Sequence, residues 1–313
     1  METNVAVIGT IFMDCKGFAN IRYNPFGRNL GNIKFVHGGV GRNVAENLAN
    51  LNLPVSFVST VDKSALGNEV VQRLSKANVN LDFLSFAESK GMGMWLAVLD
   101  HKGDLVGSIS QMPDLGLLER LIVERGQQLV ETTSHIVLEL DLNERISRKV
   151  IELAKKVDKR VYGIPGNLEV VLNNSDLLCY TDCFICNDVE AGRLLDANLG
   201  GLEIKELQNK LATFVNKAGI PSMVITLGER GSVYFDSITQ EKGYQPAFET
   251  KVVDSSGAGD AFFSGTVMGL IKNRPLSEAV IYGTRLAAMT IQVEENTCPY
   301  VPGKISETAI LWE

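Results

Sequence analysis

No stretch of the 313 residues is apolar for the length a bilayer demands, so no membrane association is expected. Basic charge is also short. Thirty Lys and Arg stand against 37 Asp and Glu, a formal net charge of −7. Such a field opposes counterion-driven binding to a polyanion, and no nucleic-acid polymer is expected as a partner. The five cysteines, an odd number, do not form a disulfide scaffold and fit a reducing cytoplasm. Cys179, Cys183 and Cys186 make a CxxxCxxC cluster without an evident fourth ligand. They are read as buried thiols beside a strand rather than as a zinc site. His37, His101 and His135 are read as polar surface or internally satisfied side chains. The opening Met1–Asn4 has no basic region, so no secretory leader is expected. Disorder is excluded as well, because 45% hydrophobic and 21% charged residues give an ordinary folded profile.

What is present is alternation. Val5–Gly9 and Val55–Val61 read as strands, with Val44, Leu48 and Leu51 at helical spacing between them. Ile136–Leu140 is strand-like and precedes a helix face of Ile146, Val150, Leu153 and Val157. A helix carrying Ile204, Leu207, Leu211, Phe214 and Ala218 precedes a strand at Met223–Leu227. Alternating β and α elements predict a parallel sheet covered by helices on both faces. Two stretches break the pattern. Lys16–His37 is rich in Asn, Gly and Arg, and Gly91–Met112 reads as a hairpin turning at Asp100–Gly103. They are expected either to pair as a small sheet or to be separate surface excursions.

The most informative stretch is Val252–Gly265, VVDSSGAGDAFFSG. β-prone residues precede it, and Phe262, Thr266, Gly269 and Leu270 follow on one helical face, with Gly265 and Gly269 allowing close packing. Ser255–Gly259 is therefore expected to be a Gly-rich turn opening a helix, with unpaired N–H groups and the positive dipole end forming an anion site. Asp260 falls in the first helical turn. It is either a dipole-complementing acid or a general base beside a phosphate pocket. No Gly-Lys-Ser/Thr follows, so this is not a Walker A loop.

This stretch resembles the C-terminal signature of the ribokinase-like (PfkB) carbohydrate kinases. Gly38–Leu51, GGVGRNVAENLANL, resembles their N-terminal signature. Asn187-Asp-Val-Glu190 is similar to their Asn-x-x-Glu motif, and Thr226–Gly231 to their nucleotide-side loop. The resemblance covers essentially the whole chain. It implies a doubly wound, mostly parallel α/β domain with helices on both faces (1–15, 38–90 and 113–313) and a small β lid (16–37 and 91–112).

The resemblance also implies roles. Asp260 would take the proton of the attacking hydroxyl, and the N–H groups of Gly257, Ala258 and Gly259 would hold the transferring group. Asp14, Gly38, Gly39 and Asn43 would bind the sugar, with Arg42 an additional substrate-side candidate or a solvated charge. Thr226, Gly228 and Gly231 would flank ATP, with Thr284 a candidate adenine contact. Asn187 and Glu190 would organise Mg²⁺, partly through water, although a helix cap is the plainer reading. Asp254 and Ser256 would offer oxygens to a monovalent cation such as K⁺. A homodimer through the lid face follows from dimeric relatives.

Arg42, Ala287–Thr290 and Glu294–Thr297 make the chain resemble the pseudouridine kinases, which phosphorylate a nucleoside 5′-hydroxyl. Two departures stand out. Ile164 occupies a position where many relatives have Asp, and Gly107–Pro113 is less acidic than expected. The alternatives are a kinase of ribose, a ketohexose or another nucleoside, and a non-catalytic nucleoside sensor.

Overall fold

The computed structural model describes residues 3–166 and 168–299; position 167 and the ends, including the 300–313 stretch assigned to the large domain, lie outside the described residues. The chain enters β1 (Val5–Ile8) at once, and β2 (Phe12–Ala19) and β3 (Gly31–Gly38) lead into α1 (Val40–Asn50). Then come β4 (Val55–Asp62), α2 (Ala65–Lys76), β5 (Asn80–Ala87), and the hairpin β6 (Gly93–Leu99) and β7 (Leu105–Gln111). The second half runs α3 (Gly116–Thr132), β8 (His135–Glu139), α4 (Glu144–Lys156), β9 (Arg160–Ile164), α5 (Glu169–Asn173), β10 (Cys183–Asn187), α6 (Asp188–Leu195), α7 (Ile204–Ala218), β11 (Ser222–Thr226), β12 (Ser232–Asp236), β13 (Glu241–Gln245), α8 (Ala258–Ile271) and α9 (Leu276–Thr290).

Among the described residues, nine strands form one sheet in the order β13-β12-β11-β10-β9-β8-β1-β4-β5. It is parallel except where β12 and β13 add on antiparallel. Both faces are covered, which is why its strands read as continuous apolar runs. In β1, Val5 and Val7 enter the core under α1, α2, α8 and α9, while Ala6 and Ile8 enter the core under α3, α4 and α7. Cys183 and Cys186 also fall on opposite faces, so they cannot share an ion. All five cysteines are free. Gly265 and Gly269 allow the expected close packing, since a Cβ would meet the Tyr282 carbonyl oxygen at 2.5 Å or Ala279 Cα at 2.8 Å. No helix of the described residues is long and apolar enough to cross a membrane.

The two interrupting stretches pair as a second sheet, β3-β2-β6-β7. Its strand β2 begins at Phe12, four residues before the expected lid boundary, and β3 ends on Gly38, two residues before α1 begins. Period-2 alternation puts Asp14, Trp95 and Ser110 in one row on one face. Phe35, Cys15, Leu96 and Ile109 form a row on the other.

In the large sheet, β4 and β5 build outward on one side of β1, and α3 then returns the chain to β8 on the other. A crevice opens at this reversal, outside the carboxyl ends of the strands, where open α/β sheets bind ligands.

Candidate active site

A cavity of about 370 Å³ lies in that crevice, roofed by the small sheet. Seven expected site residues line it: Asp14, Gly38, Gly39, Asn43, Ser256, Gly257 and Asp260. Residues separated by more than 240 positions thus converge on one cavity.

Two helix N-termini contribute to its lining. Gly39 caps α1 at φ +95°, and a Cβ there would meet the Thr10 carbonyl oxygen at 2.6 Å. Gly257 caps α8 at φ +76°, and a Cβ would stand 2.0 Å from the Asn296 carbonyl oxygen. Only glycine fits either position without strain. At Gly259, by contrast, an added Cβ meets nothing within 4 Å, so its open side faces room for a ligand. Ala258 and Gly259 stand at the head of α8, the helix that the Gly-rich turn was expected to open.

Asp260 Oδ2 accepts from Asn43 Nδ2 at 2.6 Å. Burial pushes its pKa up to about 7; Glu139 and Glu190 repel the anion, while the Asn43 hydrogen bond and the Arg42 charge oppose the rise. That value suits a general base near neutral pH. Asn43 Oδ1 is buried without a hydrogen-bond partner among the described residues. Asp14 reaches in from β2, and burial raises its pKa against the pull of Lys16 and Arg42.

Arg42 is not a solvated charge, and it lies outside the cavity lining. It is fully buried, and its guanidinium donates to Glu46 Oε2 at 2.8 Å, to the Gly38 carbonyl at 3.3 Å and to the His37 carbonyl. Burial alone would raise the Glu46 pKa, but hydrogen bonds and charge from Arg73 and Arg42 hold it below the usual carboxylate value. Arg42 thus ties the end of β3 to α1. Thr284 is buried, and its hydroxyl donates to the Val280 carbonyl of its own helix. Ile164 is a core residue packed under α8 and α9, outside the cavity lining.

Thr226 pairs in register with Asn187 at the ends of β11 and β10. Gly228 and Gly231 bracket the short turn that follows, closed by Gly231 N–H donating to the Gly228 carbonyl at 3.0 Å. Asn187 and Glu190 form a reciprocal capping box on α6, each side chain accepting the other's N–H at 2.8 Å. Among the described residues no three His, Cys, Asp or Glu side chains are gathered as a metal site. The local charge still suits a hydrated Mg²⁺ carried by phosphates: burial raises the Glu190 pKa, and Asp141 and Asp188 repel it further. Asp254 and Ser256 are joined to Lys16, whose Nζ lies 3.7 Å from Asp254 Oδ2 and 3.2 Å from Ser256 Oγ.

Sequence reasoning missed Glu139, Asp141, Trp95 and Lys16. Glu139 ends β8, and its Oε2 accepts from the N–H groups of Thr10 at 2.8 Å and Gly41 at 3.3 Å. Burial pushes its pKa up to about 6, those bonds opposing and Asp141 reinforcing the shift. Asp141 gathers the N–H groups of Gly166 at 2.6 Å and Leu168 at 2.8 Å. An acid at the carboxyl end of a parallel strand was the available signal for both.

Comparisons with known proteins agree with this geometry. A model described as pfkB family carbohydrate kinase matches residues 2–301. A guanosine-inosine kinase of Exiguobacterium acetylicum is 38% identical over 293 residues, covering 93% of this chain and 95% of that protein. A pseudouridine kinase of Escherichia coli (strain K12) is 25% identical, covering 94% and 92%. A structure of Arabidopsis thaliana ribokinase complexed with ribose and ATP superposes with a TM-score of 0.81 at 20% identity, covering 99% and 98%. With both signatures converging on one cavity, the chain belongs to the pfkB family of carbohydrate kinases, phosphotransferases that act on a hydroxyl group.

Proposed function

We propose that this enzyme transfers the γ-phosphoryl group of ATP to the 5′-hydroxyl of a nucleoside. The observation that carries the reading is Asp260: a carboxylate with a pKa near 7, in the first turn of α8, in the same cavity as Asp14 and Asn43. Asp14 and Asn43 hold ribose hydroxyls, and Asp260 removes the proton from the attacking one. The N–H groups of Gly257, Ala258 and Gly259 take up negative charge on the moving phosphoryl group. Asn187 and Glu190 would hold a hydrated Mg²⁺, which would supply charge to neutralise the phosphates. The reading includes a reducing cytoplasm, where the five free thiols persist.

The apolar part of the cavity supports a base rather than a bare sugar. Phe12, Trp95, Met112, Pro113, Leu115 and Leu142 line it, with Ser110 and Asp141 as polar groups. Ser110, Met112 and Pro113 belong to the stretch that departs from the pseudouridine kinase pattern. Of the two nucleoside kinases compared, the guanosine-inosine kinase is the more similar, which favours a purine riboside over pseudouridine. ADP release measured with guanosine, inosine, adenosine, pseudouridine, uridine, ribose and fructose tests this. Turnover is expected on guanosine and inosine first. Preference for pseudouridine would restore the motif-based expectation, and preference for a free sugar would defeat the nucleoside reading.

The outer lid face, with Phe35 58%, Leu96 40% and Ile109 69% exposed, supports a second copy as its cover. One apolar row across a small sheet is self-complementary about a two-fold axis. Light scattering reads the dimer directly, and a monomer at micromolar concentration rejects it.

A further inference from the structure

Lys16 stands in strand β2 of the lid, two residues after Asp14. Alternation along a strand puts both side chains on the face that looks down on the large domain, roughly 7 Å apart. The register agrees: Asp14 lies beside Trp95, which lines the cavity, and Lys16 lies beside Ala97, which is fully buried. The Lys16 side chain is only 12% exposed. Its ammonium crosses from lid to large domain and lies 3.2 Å from Ser256 Oγ and 3.7 Å from Asp254 Oδ2. Ser256 immediately precedes Gly257, the cap of the anion cradle, and lines the same cavity as Asp260.

We propose that Lys16 is a lid-borne phosphoryl-binding residue, which seats on Ser256 and Asp254 at the cradle's edge and supplies positive charge to the phosphoryl group in transfer. One strand then serves both substrates. Asp14 holds the acceptor and Lys16 meets the donor, so placing β2 over the crevice completes both contacts together. A cradle of backbone N–H groups carries only partial charges, and a full charge beside it adds the attraction that the migrating phosphoryl group needs. Lysine suits this role because its ammonium is a compact charge on a flexible stem, able to leave one set of oxygens for another. The inference rests on the kinase reading above.

The experiment uses the full chain with Lys16→Met and Lys16→Arg. Binding of a non-hydrolysable ATP analogue and of ADP is read by titration calorimetry, and KM and kcat are measured for ATP and for guanosine. Lys16→Met is expected to weaken analogue binding about tenfold, leave ADP binding within about threefold and lower kcat about 10²-fold. The guanosine KM should stay within about threefold, and Lys16→Arg should recover part of kcat. Should Lys16→Met not fold, Lys16→Gln keeps a donor to Ser256 without the charge and carries the same measurements. A folded, uncharged variant with unchanged analogue binding and kcat overturns the proposal. So does a loss confined to the guanosine KM, which would make Lys16 a lid contact alone. Wild-type enzyme that turns over no nucleoside would defeat the proposed function, while the two titrations would still decide the role of Lys16.

Discussion

Asn43 and Asp260 meet at 2.6 Å, joining the first turn of α1 to the first turn of α8. The amide fixes the direction of the carboxylate without bringing a full charge to it. Arg42, the preceding residue, is cationic but is committed to Glu46 and to the carbonyls of His37 and Gly38. The base therefore keeps a high pKa beside a buried guanidinium, because the ion pair absorbs most of that charge.

This arrangement makes Asp260→Asn informative twice. Turnover should fall by about 10²–10⁴-fold while nucleoside and ATP binding persist. The stability effect has a sign. The folded pKa of about 7 lies above the ordinary carboxylate value of 3.8, so between them the native state holds a proton that the unfolded chain has lost. Stability contributed by this group is thus full at low pH and declines as pH rises towards 7. The Asn variant should melt higher than wild type at pH 8 and show little of that gain at pH 4. Near-wild-type turnover would remove Asp260 from the mechanism.

The same ionisation sets the pH profile. For wild type, kcat/KM should rise with pH to a plateau above an apparent pKa near 7. The Asn43 hydrogen bond lowers that pKa, so Asn43→Ala should move the rising limb to higher pH as well as weaken nucleoside binding. A profile flat from pH 5.5 to 8.5 would contradict the assignment.

Two glycines of one motif should respond differently to alanine. Gly257→Ala forces a side chain into positive φ and against the Asn296 carbonyl, and should destabilise the fold by more than about 1 kcal/mol. Gly259→Ala meets no protein atom within 4 Å, so it should fold normally and lose at least about tenfold in turnover. Melting curves beside kcat values separate the two, and equal melting temperatures would refute the distinction.

Arg42→Met should cost about 3–5 kcal/mol in urea denaturation, because it leaves Glu46 short of a partner and the His37 and Gly38 carbonyls without their guanidinium donor. A loss under about 1 kcal/mol would show that the junction of β3 and α1 does not depend on it.

Trp95→Ala should raise the KM for guanosine by about 10–100-fold, the range for loss of one base-stacking surface, and change ATP affinity little. An unchanged guanosine KM would place the base elsewhere.

The chemistry written in consecutive residues was legible from the sequence. A Gly-rich turn that opens a helix presents donors and a dipole wherever it occurs, so the turn of Gly257–Gly259 at the head of α8 and the place of Asp260 in its first turn followed from Val252–Gly265 alone. The alternating periods gave the parallel sheet, because burial on both faces dictates which residues its strands contain. The capping box of Asn187 and Glu190 was likewise local. Arg42 was different: its distance to Glu46 is set by the helix, but whether water or protein surrounds the pair is set by α2 and the C-terminal segment, through Arg73 and Glu295. Glu139, Trp95 and Lys16 carried no motif at all. Their roles arise where β8 lies beside β1, where the hairpin adds to β2, and where the lid meets the loop before α8. Those placements depend on strand order and docking, which are fixed by contacts between distant parts of the chain rather than by neighbours in sequence.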